Sequence, residues 1–216
     1  MPVCRMDFNR IPFIGAYSLC TDKLCLIPEH VHLRPDNTHV LGVPVIRASV
    51  SDSPLLGILL AGNSQCLLCS DLFEVQLPSD LDVDVEYLPG KHTALGNLVL
   101  ANDKGAIVSP ELSSSVVRMI ADGLGVEVER GTIAGHTTVG AVAVVTNRGA
   151  LLHPDVSESE AKLVEEILKV PVDVGTACGG VSFLGLCVIA NSNGALTGST
   201  TTGPELGRIE SSLDLV

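Results

Sequence analysis

Aromatic residues make up only 3% of this 216-residue chain and charged residues 18%, against 46% hydrophobic residues. With so little aromatic bulk, the core has to be built from Val, Leu, Ile and Ala, the residues of strands and of helices packed on them. No run of 18 or more apolar residues occurs, so no segment reads as a membrane-spanning helix. Basic runs are missing too, and the net charge is −12. A generic nucleic-acid binder is therefore disfavoured, because it needs clustered Lys and Arg to displace counterions from phosphates. The opening residues Met1-Pro2-Val3-Cys4-Arg5 lack the charged and apolar regions of a secretory signal. Cysteine is present but odd in number, seven, which speaks against a full disulfide framework and for reduced thiols in a cytoplasmic protein. The acidity suits a basic protein surface as partner, where opposite charge steers encounter, and equally suits solubility alone.

Glycine and proline are plentiful, 21 and 12 residues, and the glycines are periodic. Gly15, Gly57, Gly96, Gly140 and Gly185 each open a similar segment, at spacings of 42, 39, 44 and 45 residues. The clearest copies run from Gly96, Gly140 and Gly185. Each reads as a strand, a polar turn with glycine nine residues after the anchor (Gly105, Gly149, Gly194), and a second strand. Turns such as Asn102-Asp103-Lys104-Gly105 suit hairpins, because Asn and Gly tolerate positive φ. The copies from Gly15 and Gly57 have no glycine at the turn.

A helix is expected after each hairpin. Ser157 and Glu160 have capping-box spacing before Leu163, Val164, Ile167 and Leu168, and Thr202 and Glu205 repeat it before Leu206, Ile209 and Leu213. Leu112, Val116, Val117 and Ile120 form the stripe after Gly96, while Pro35 and Pro78 interrupt the patterns after Gly15 and Gly57. A third strand then closes each unit, starting near Leu41, Leu81, Leu124 and Leu168. The fifth unit lacks one before the chain ends at Val216. Val3-Cys4-Arg5 supplies it, standing before Gly15 as Val45-Ile46-Arg47 stands before Gly57. The expectation is an α/β fold, one domain over residues 1–216, closed as a propeller-like ring rather than stacked linearly, since closure removes exposed strand edges.

A ring of five strand–hairpin–helix units resembles the pentein fold. Within it the chain resembles the translation initiation factor 6 family from end to end. The residues that carry this are Asn9-Arg10-Ile11-Pro12-Phe13-Ile14-Gly15, Thr93-Ala94-Leu95-Gly96-Asn97, Asn102-Asp103-Lys104-Gly105-Ala106, Thr146-Asn147-Arg148-Gly149, His153-Pro154 and Thr201-Thr202-Gly203-Pro204-Glu205-Leu206. The stop at Val216 without a polar tail resembles the archaeal form. The resemblance implies a non-enzymatic monomer that binds the large ribosomal subunit at its intersubunit face, near the sarcin–ricin loop, mainly through ribosomal proteins. It implies steric exclusion of the small subunit, a part in initiation and in large-subunit biogenesis and recycling, and release by a translational GTPase with a partner protein. Neither cofactor nor small-molecule substrate is implied. Candidate ribosome contacts are Asn63, Asn102, Asn147 and Asn191 at the turns, with Thr200 and Thr201 before the last helix. The plainer roles of these residues are turn building and capping.

Two other readings compete. The pentein fold also hosts guanidino-modifying enzymes with a cysteine nucleophile, and Cys178 and His136 are the candidates for nucleophile and base. No carboxylate stands near either in sequence. A generic interaction ring would share the fold and the acidity. Cys66 and Cys69 have zinc-ligand spacing, with Cys20 and Cys25 as an imaginable second pair, but apolar strand segments favour buried thiols. His30, His32 and His39 are spaced as loop histidines. Gly90-Lys91-His92-Thr93 lacks the glycine spacing of a phosphate loop.

Overall fold

The computed structural model describes residues 2–31, 39–78, 81 and 83–215. Sixteen short strands form five small sheets among these residues, and none of the sheets closes on itself. Strand β1 (Val3–Arg5) lies far from its neighbours in sequence. The first hairpin is β2 (Leu19–Cys20) and β3 (Cys25–Pro28), followed by β4 (Val45–Val50). The second unit holds β5 (Ala61–Gly62), β6 (Cys66–Ser70), β7 (Val75–Gln76) and β8 (Asp84–Leu88). The third holds β9 (Val99–Ala101), β10 (Gly105–Val108) and β11 (Glu127–Arg130). The fourth holds β12 (Ala143–Val145), β13 (Ala150–Leu152) and β14 (Val172–Val174). The fifth is β15 (Val188–Ala190) and β16 (Ala195–Thr197).

Each hairpin is antiparallel, and its second strand pairs in parallel with the third strand of its unit. In the fifth unit that third strand is β1, with Val3 opposite Ala195 and Arg5 opposite Thr197. The register repeats: the N–H groups of Cys25, Ala150 and Ala195 donate to the carbonyls of Pro44, Pro171 and Pro2. The second hairpin strands are buried along their whole length. They sit mid-sheet with both faces covered, which is why they read as mostly Ala, Val, Ile, Leu and Cys rather than as an alternation.

The five apolar cores are shared between units. Leu26 of the first packs with Leu56 and Leu67 of the second, and Leu68 of the second with Leu95 and Ala106 of the third. Ile107 packs with Val142 and Ala150, then Leu151 with Leu184 and Ala195. Ile189 and Leu196 of the fifth pack with Ile14 and Cys25 of the first. No unit buries its apolar faces alone. The anchor glycines explain how closely the units approach. A Cβ on Gly57 would lie 1.9 Å from the Gly15 carbonyl oxygen, on Gly96 2.1 Å from that of Gly57, and on Gly140 2.1 Å from that of Gly96. On Gly185 it would lie 1.9 Å from the Gly140 oxygen, and on Gly15 2.2 Å from that of Gly185. Only a residue without a side chain lets these backbones touch.

Helices Ser114–Leu124, Glu158–Leu168 and Gly203–Ser212 follow the third, fourth and fifth hairpins. Val116, Ile120 and Leu124 in the first, Val164, Ile167 and Leu168 in the second, and Ile209 in the third are buried. After the second hairpin the expected helix is not seen among the described residues. Residues 71–78 make a turn and β7, which pairs antiparallel with β4. Leu72 is 67% exposed, so no apolar stripe held a helix in place. After the first hairpin the segment with Pro35 lies outside the described residues, and only a 3-10 turn, His39–Leu41, is seen. No helix among the described residues is long and apolar enough to cross a membrane.

Candidate functional site

The polar turns of the hairpins come together, and the reason is their register. Six residues after each anchor stand Thr21, Asn63, Asn102, Thr146 and Asn191, all buried. Asn102 shows what the position does. Its Oδ1 accepts from the N–H groups of Lys104 (2.9 Å) and Gly105 (3.0 Å), closing its own turn. Its Nδ2 donates at 3.0 Å to the Thr146 carbonyl of the next unit and at 3.0 Å to Leu168, the last residue of that unit's helix. Asn63 donates likewise to Leu124 (2.9 Å), and Asn191 to Leu41 (2.7 Å) and Thr21 (3.2 Å). Each asparagine thus satisfies an orphan carbonyl at the end of a neighbour's helical segment. Asn63, Asn102 and Asn191 spend every polar atom inside the protein and present no free group outward.

The expected positive-φ hairpin turn is also not what forms. None of the turn residues has positive φ. Gly105, Gly149 and Gly194 are needed for space: a Cβ there would lie 2.0, 2.0 and 2.3 Å from the carbonyl oxygens of Ile167, Ser212 and Val40.

One residue further on, Asp22, Ser64, Asp103, Asn147 and Ser192 tie the units together. Ser64 donates its N–H and hydroxyl to the Asp103 carboxylate at 2.7 and 2.8 Å, and Ser192 does the same to Asp22 at 2.7 and 2.6 Å. The Asn147 amide bridges the two carboxylates, 2.8 Å from Asp22 and 2.5 Å from Asp103, while its Oδ1 accepts from the Asp103 N–H. The next position is exposed in every unit: Lys23, Gln65, Lys104, Arg148 and Asn193. Three of these five side chains are basic, in a protein of net charge −12. Lys104 caps the carbonyls of Asn147 (2.8 Å) and Lys169 (3.3 Å), and Arg148 pairs with Asp214 at 3.1 Å. These basic residues escaped the sequence reading, although their fixed place three residues after Ala101 or Val145, eight after the anchor, would have found them.

Thr200 and Thr201 lie elsewhere, since they follow β16 whereas the Asn191 turn precedes it. Thr201 is buried. Its hydroxyl accepts from the Cys178 N–H at 3.0 Å and meets Thr197 Oγ1 at 2.8 Å. Thr200 is exposed.

At that far end, two glutamates clamp the loops that precede anchors. Glu160 accepts from Thr132 Oγ1 (2.7 Å), the N–H groups of Gly135 (3.0 Å) and Ala134 (3.1 Å), and the Ser157 N–H (2.9 Å) and hydroxyl (2.8 Å). Glu205 repeats this with Thr176 Oγ1, the N–H groups of Gly179 and Gly180, and both donors of Thr202. Burial works against ionisation of both carboxyls, but the donors prevail and hold each down to about 2.

His136 and Cys178 do not meet as a pair. The His136 ring packs against His153 (centroids 5.5 Å apart) and Phe183 (5.4 Å). The Cys178 thiol faces the Pro12 carbonyl (3.6 Å) and the Thr201 hydroxyl (3.8 Å). Its thiol is lowered to about 6 by a hydrogen bond from Cys187, whose own thiol is raised by the same contact, with Thr201 helping against desolvation. Cys66 and Cys69 are buried in β6, and burial pushes the Cys69 thiol up to about 11. Cys20 and Cys25 hydrogen-bond each other, which raises the Cys20 thiol. All seven cysteines are free, and no cluster of three metal-ligating side chains occurs among the described residues. His30 and His39 are among these residues, and His32 lies outside them.

Comparison with known proteins adds what geometry cannot. The model of the eIF-6 family matches residues 3–212. The chain is 43% identical over 227 aligned positions to the translation initiation factor 6 of Pyrococcus furiosus, covering 100% of both. It is 41% identical over 227 positions to that of Pyrococcus abyssi, again over 100% of both, and 41% identical over 207 positions to that of Methanococcoides burtonii, covering 94% of each.

Proposed function

The chain belongs to the eIF-6 family, and from that premise we propose that it binds the large ribosomal subunit and sterically keeps the small subunit off. Its relatives are named as translation initiation factors, and a role in translation initiation follows from the kinship. In the finer reading, a cytoplasmic monomer docks on the intersubunit face near the sarcin–ricin loop. There it acts in initiation and in biogenesis and recycling of the large subunit, without catalysis or cofactor. The factor works by occupying space, so its strength is its residence time.

The observation that carries the docking surface is the turn face. Five turns from five units are locked to one another through Asp22, Asp103 and Asn147, and they carry outward the basic side chains of Lys23, Lys104 and Arg148. A rigid face whose outermost side chains include three basic ones, with the carboxylates of Asp22 and Asp103 tied up behind them, suits a surface where rRNA phosphate and ribosomal protein adjoin. Of the candidate contacts, Asn147 and Thr200 keep exposed surface. Asn63, Asn102 and Asn191 act by holding the turn face in shape, whereas Thr201, at the far end, holds the loop of Cys178. The five units also form a closed ring in this reading, a single pentein domain over residues 1–216. The cyclic order of glycine contacts and the core shared by the fifth and first units support it.

Co-sedimentation with separated subunits, with subunit joining assayed in parallel, tests the function. Selective binding to the large subunit and fewer joined ribosomes are expected, and binding to neither subunit would sink the proposal. Lys104→Glu with Arg148→Glu should abolish co-sedimentation while leaving the far-UV spectrum intact. Full binding by this variant would move docking away from the turns. The lowered Cys178 thiol favours a second reading, a guanidino-modifying enzyme. The donors that lower it are a thiol, two hydroxyls and a backbone N–H, none of them a general base, and a guanidine-hydrolysis assay on the intact protein decides the matter.

A further inference from the structure

The third, fourth and fifth units place their long helices identically. Their N-caps Ser113, Ser157 and Thr202 all stand 17 residues after an anchor, and Val116, Glu160 and Glu205 all stand 20 after. In the fourth and fifth units this last residue is the glutamate that clamps the loop five and six residues before the anchor. In the third unit it is valine, and the corresponding loop residues are Gly90 and Lys91. Where the sister units hold a carboxylate, the third has a cavity of about 190 Å³ lined by Gly90, Lys91, His92, Ser113 and Val116.

The residues that bear the donors are present although the acceptor is missing, and all three are exposed. Among the hydrogen bonds of the described residues, none is donated by the N–H of Gly90, Lys91 or Ser113, whereas their counterparts Ala134, Gly135 and Ser157 all donate to Glu160. The short bridge that tightens the other four loops is also missing from this one. Gly90 has positive φ, 123°, as its counterparts Ala134 and Gly179 do at 53° and 81°, whereas Lys91, unlike Gly135 and Gly180, has not. A further polar atom of the lining is unpaired: Nε2 of the half-buried His92 has no hydrogen-bond partner. One acidic side chain, Glu111, also lines the cavity, where it accepts from Thr137 Oγ1 at 3.0 Å, and Lys91 supplies the opposite charge.

We propose that this cavity is a binding site for a carboxylate supplied from outside the chain, held by Gly90, Lys91 and Ser113 in the way the sister units hold Glu160 and Glu205. Unpaired N–H groups at a helix start and a loop form an anion cradle. The sister sites, each occupied by a carboxylate, indicate the charge of the group that fits. The cavity is well above the roughly 10–15 Å³ that a single water requires, so there is room for atoms behind the carboxylate.

The test is an amide-proton NMR titration of the intact protein with acetate, with N-acetyl-alanyl-alanine, with the C-terminal amide of that peptide, and with inorganic phosphate. Acetate should shift the Gly90, Lys91 and Ser113 amides with saturation on the order of 1–10 mM, which a ligand of four heavy atoms can reach. The peptide acid should match or exceed it if the natural ligand is a chain terminus, and fall below it if the ligand is a small free acid. Both results support the site. Val116→Glu should shift the same amides without ligand and remove the response to acetate, and Val116→Gln should do neither. No saturable shift in the wild-type protein, or an equal response to the peptide amide or to phosphate, would overturn the proposal whether or not the variants fold.

Discussion

Replacing Glu205 by glutamine removes one charge and no volume from a site where five donors converge. The Glu205 carboxyl moves from an ordinary value of 4.5 to about 2 on folding, against the cost of its own burial. A shift of that size is linked to about 3 kcal/mol of stability, as an upper figure, because each pKa unit is worth about 1.4 kcal/mol. The sign follows from the direction. A depressed folded value stabilises fully above 4.5, and that contribution is lost as pH falls from 4.5 towards 2. Glu205→Gln should therefore lower stability at pH 7 by about 2–3 kcal/mol, or roughly 5–10 °C in melting temperature for a chain of this size. Its stability should also fall less steeply than wild type between pH 4.5 and 2.5. Urea unfolding at pH 7.0, 4.5 and 3.0 followed by circular dichroism measures both effects. Loss at pH 7 with an acid slope equal to wild type would refute the reasoning, because the deficit would then be steric and not electrostatic.

Three further expectations rest on other contacts. Asn102→Asp places a carboxylate against the Thr146 and Leu168 carbonyls in place of two donors, so it should cost about 2–4 kcal/mol in urea unfolding, and wild-type stability would show those bonds to be idle. Gly96→Ala drives a methyl into the Gly57 and Leu60 carbonyl oxygens at 2.1 and 2.5 Å, so the variant should lose at least about 3 kcal/mol, and a melting temperature within 2 °C or so of wild type would contradict the close approach. Removal of residues 1–6 takes β1 from the edge of β16 and Val3 from the core shared with Leu151 and Leu184. Amide exchange should then accelerate in β15 and β16 first, and unchanged protection there would count against β1 as a structural strand.

The repeat was legible because its cause is local and severe. Five backbone approaches exclude a side chain, so five glycines survive at a regular interval, and period-two and period-3.6 patterns fill the space between them. The helix caps at Ser157 and Thr202 were legible for the same reason: both partners lie three residues apart. What stayed hidden was everything settled between units. The Asn102 turn resembles a hairpin that needs positive φ, yet Gly105 is there because the Ile167 carbonyl of the next unit's helix occupies the space of a Cβ. The turn asparagines resemble outward contacts, yet three of them cap carbonyls 60 to 150 residues away, such as Leu124 from Asn63 and Leu41 from Asn191. Thr21 stands at that position where the next unit has no helix end to cap among the described residues. The absent second-unit helix was foreshadowed by Pro78, but the pairing of β7 with β4 that replaces it is tertiary.

The locked turns have a consequence for timing. A surface loop that must order itself on its target slows capture and weakens the complex by the freedom it gives up. Here that freedom has already been given up during folding, because each turn is held by hydrogen bonds to its neighbour and not by the loop alone. In the proposed docking, the five turns would meet their target as one rigid body in a single encounter. The duration of that encounter then depends on the contacts made and on whatever pries them apart, not on any rearrangement within the protein.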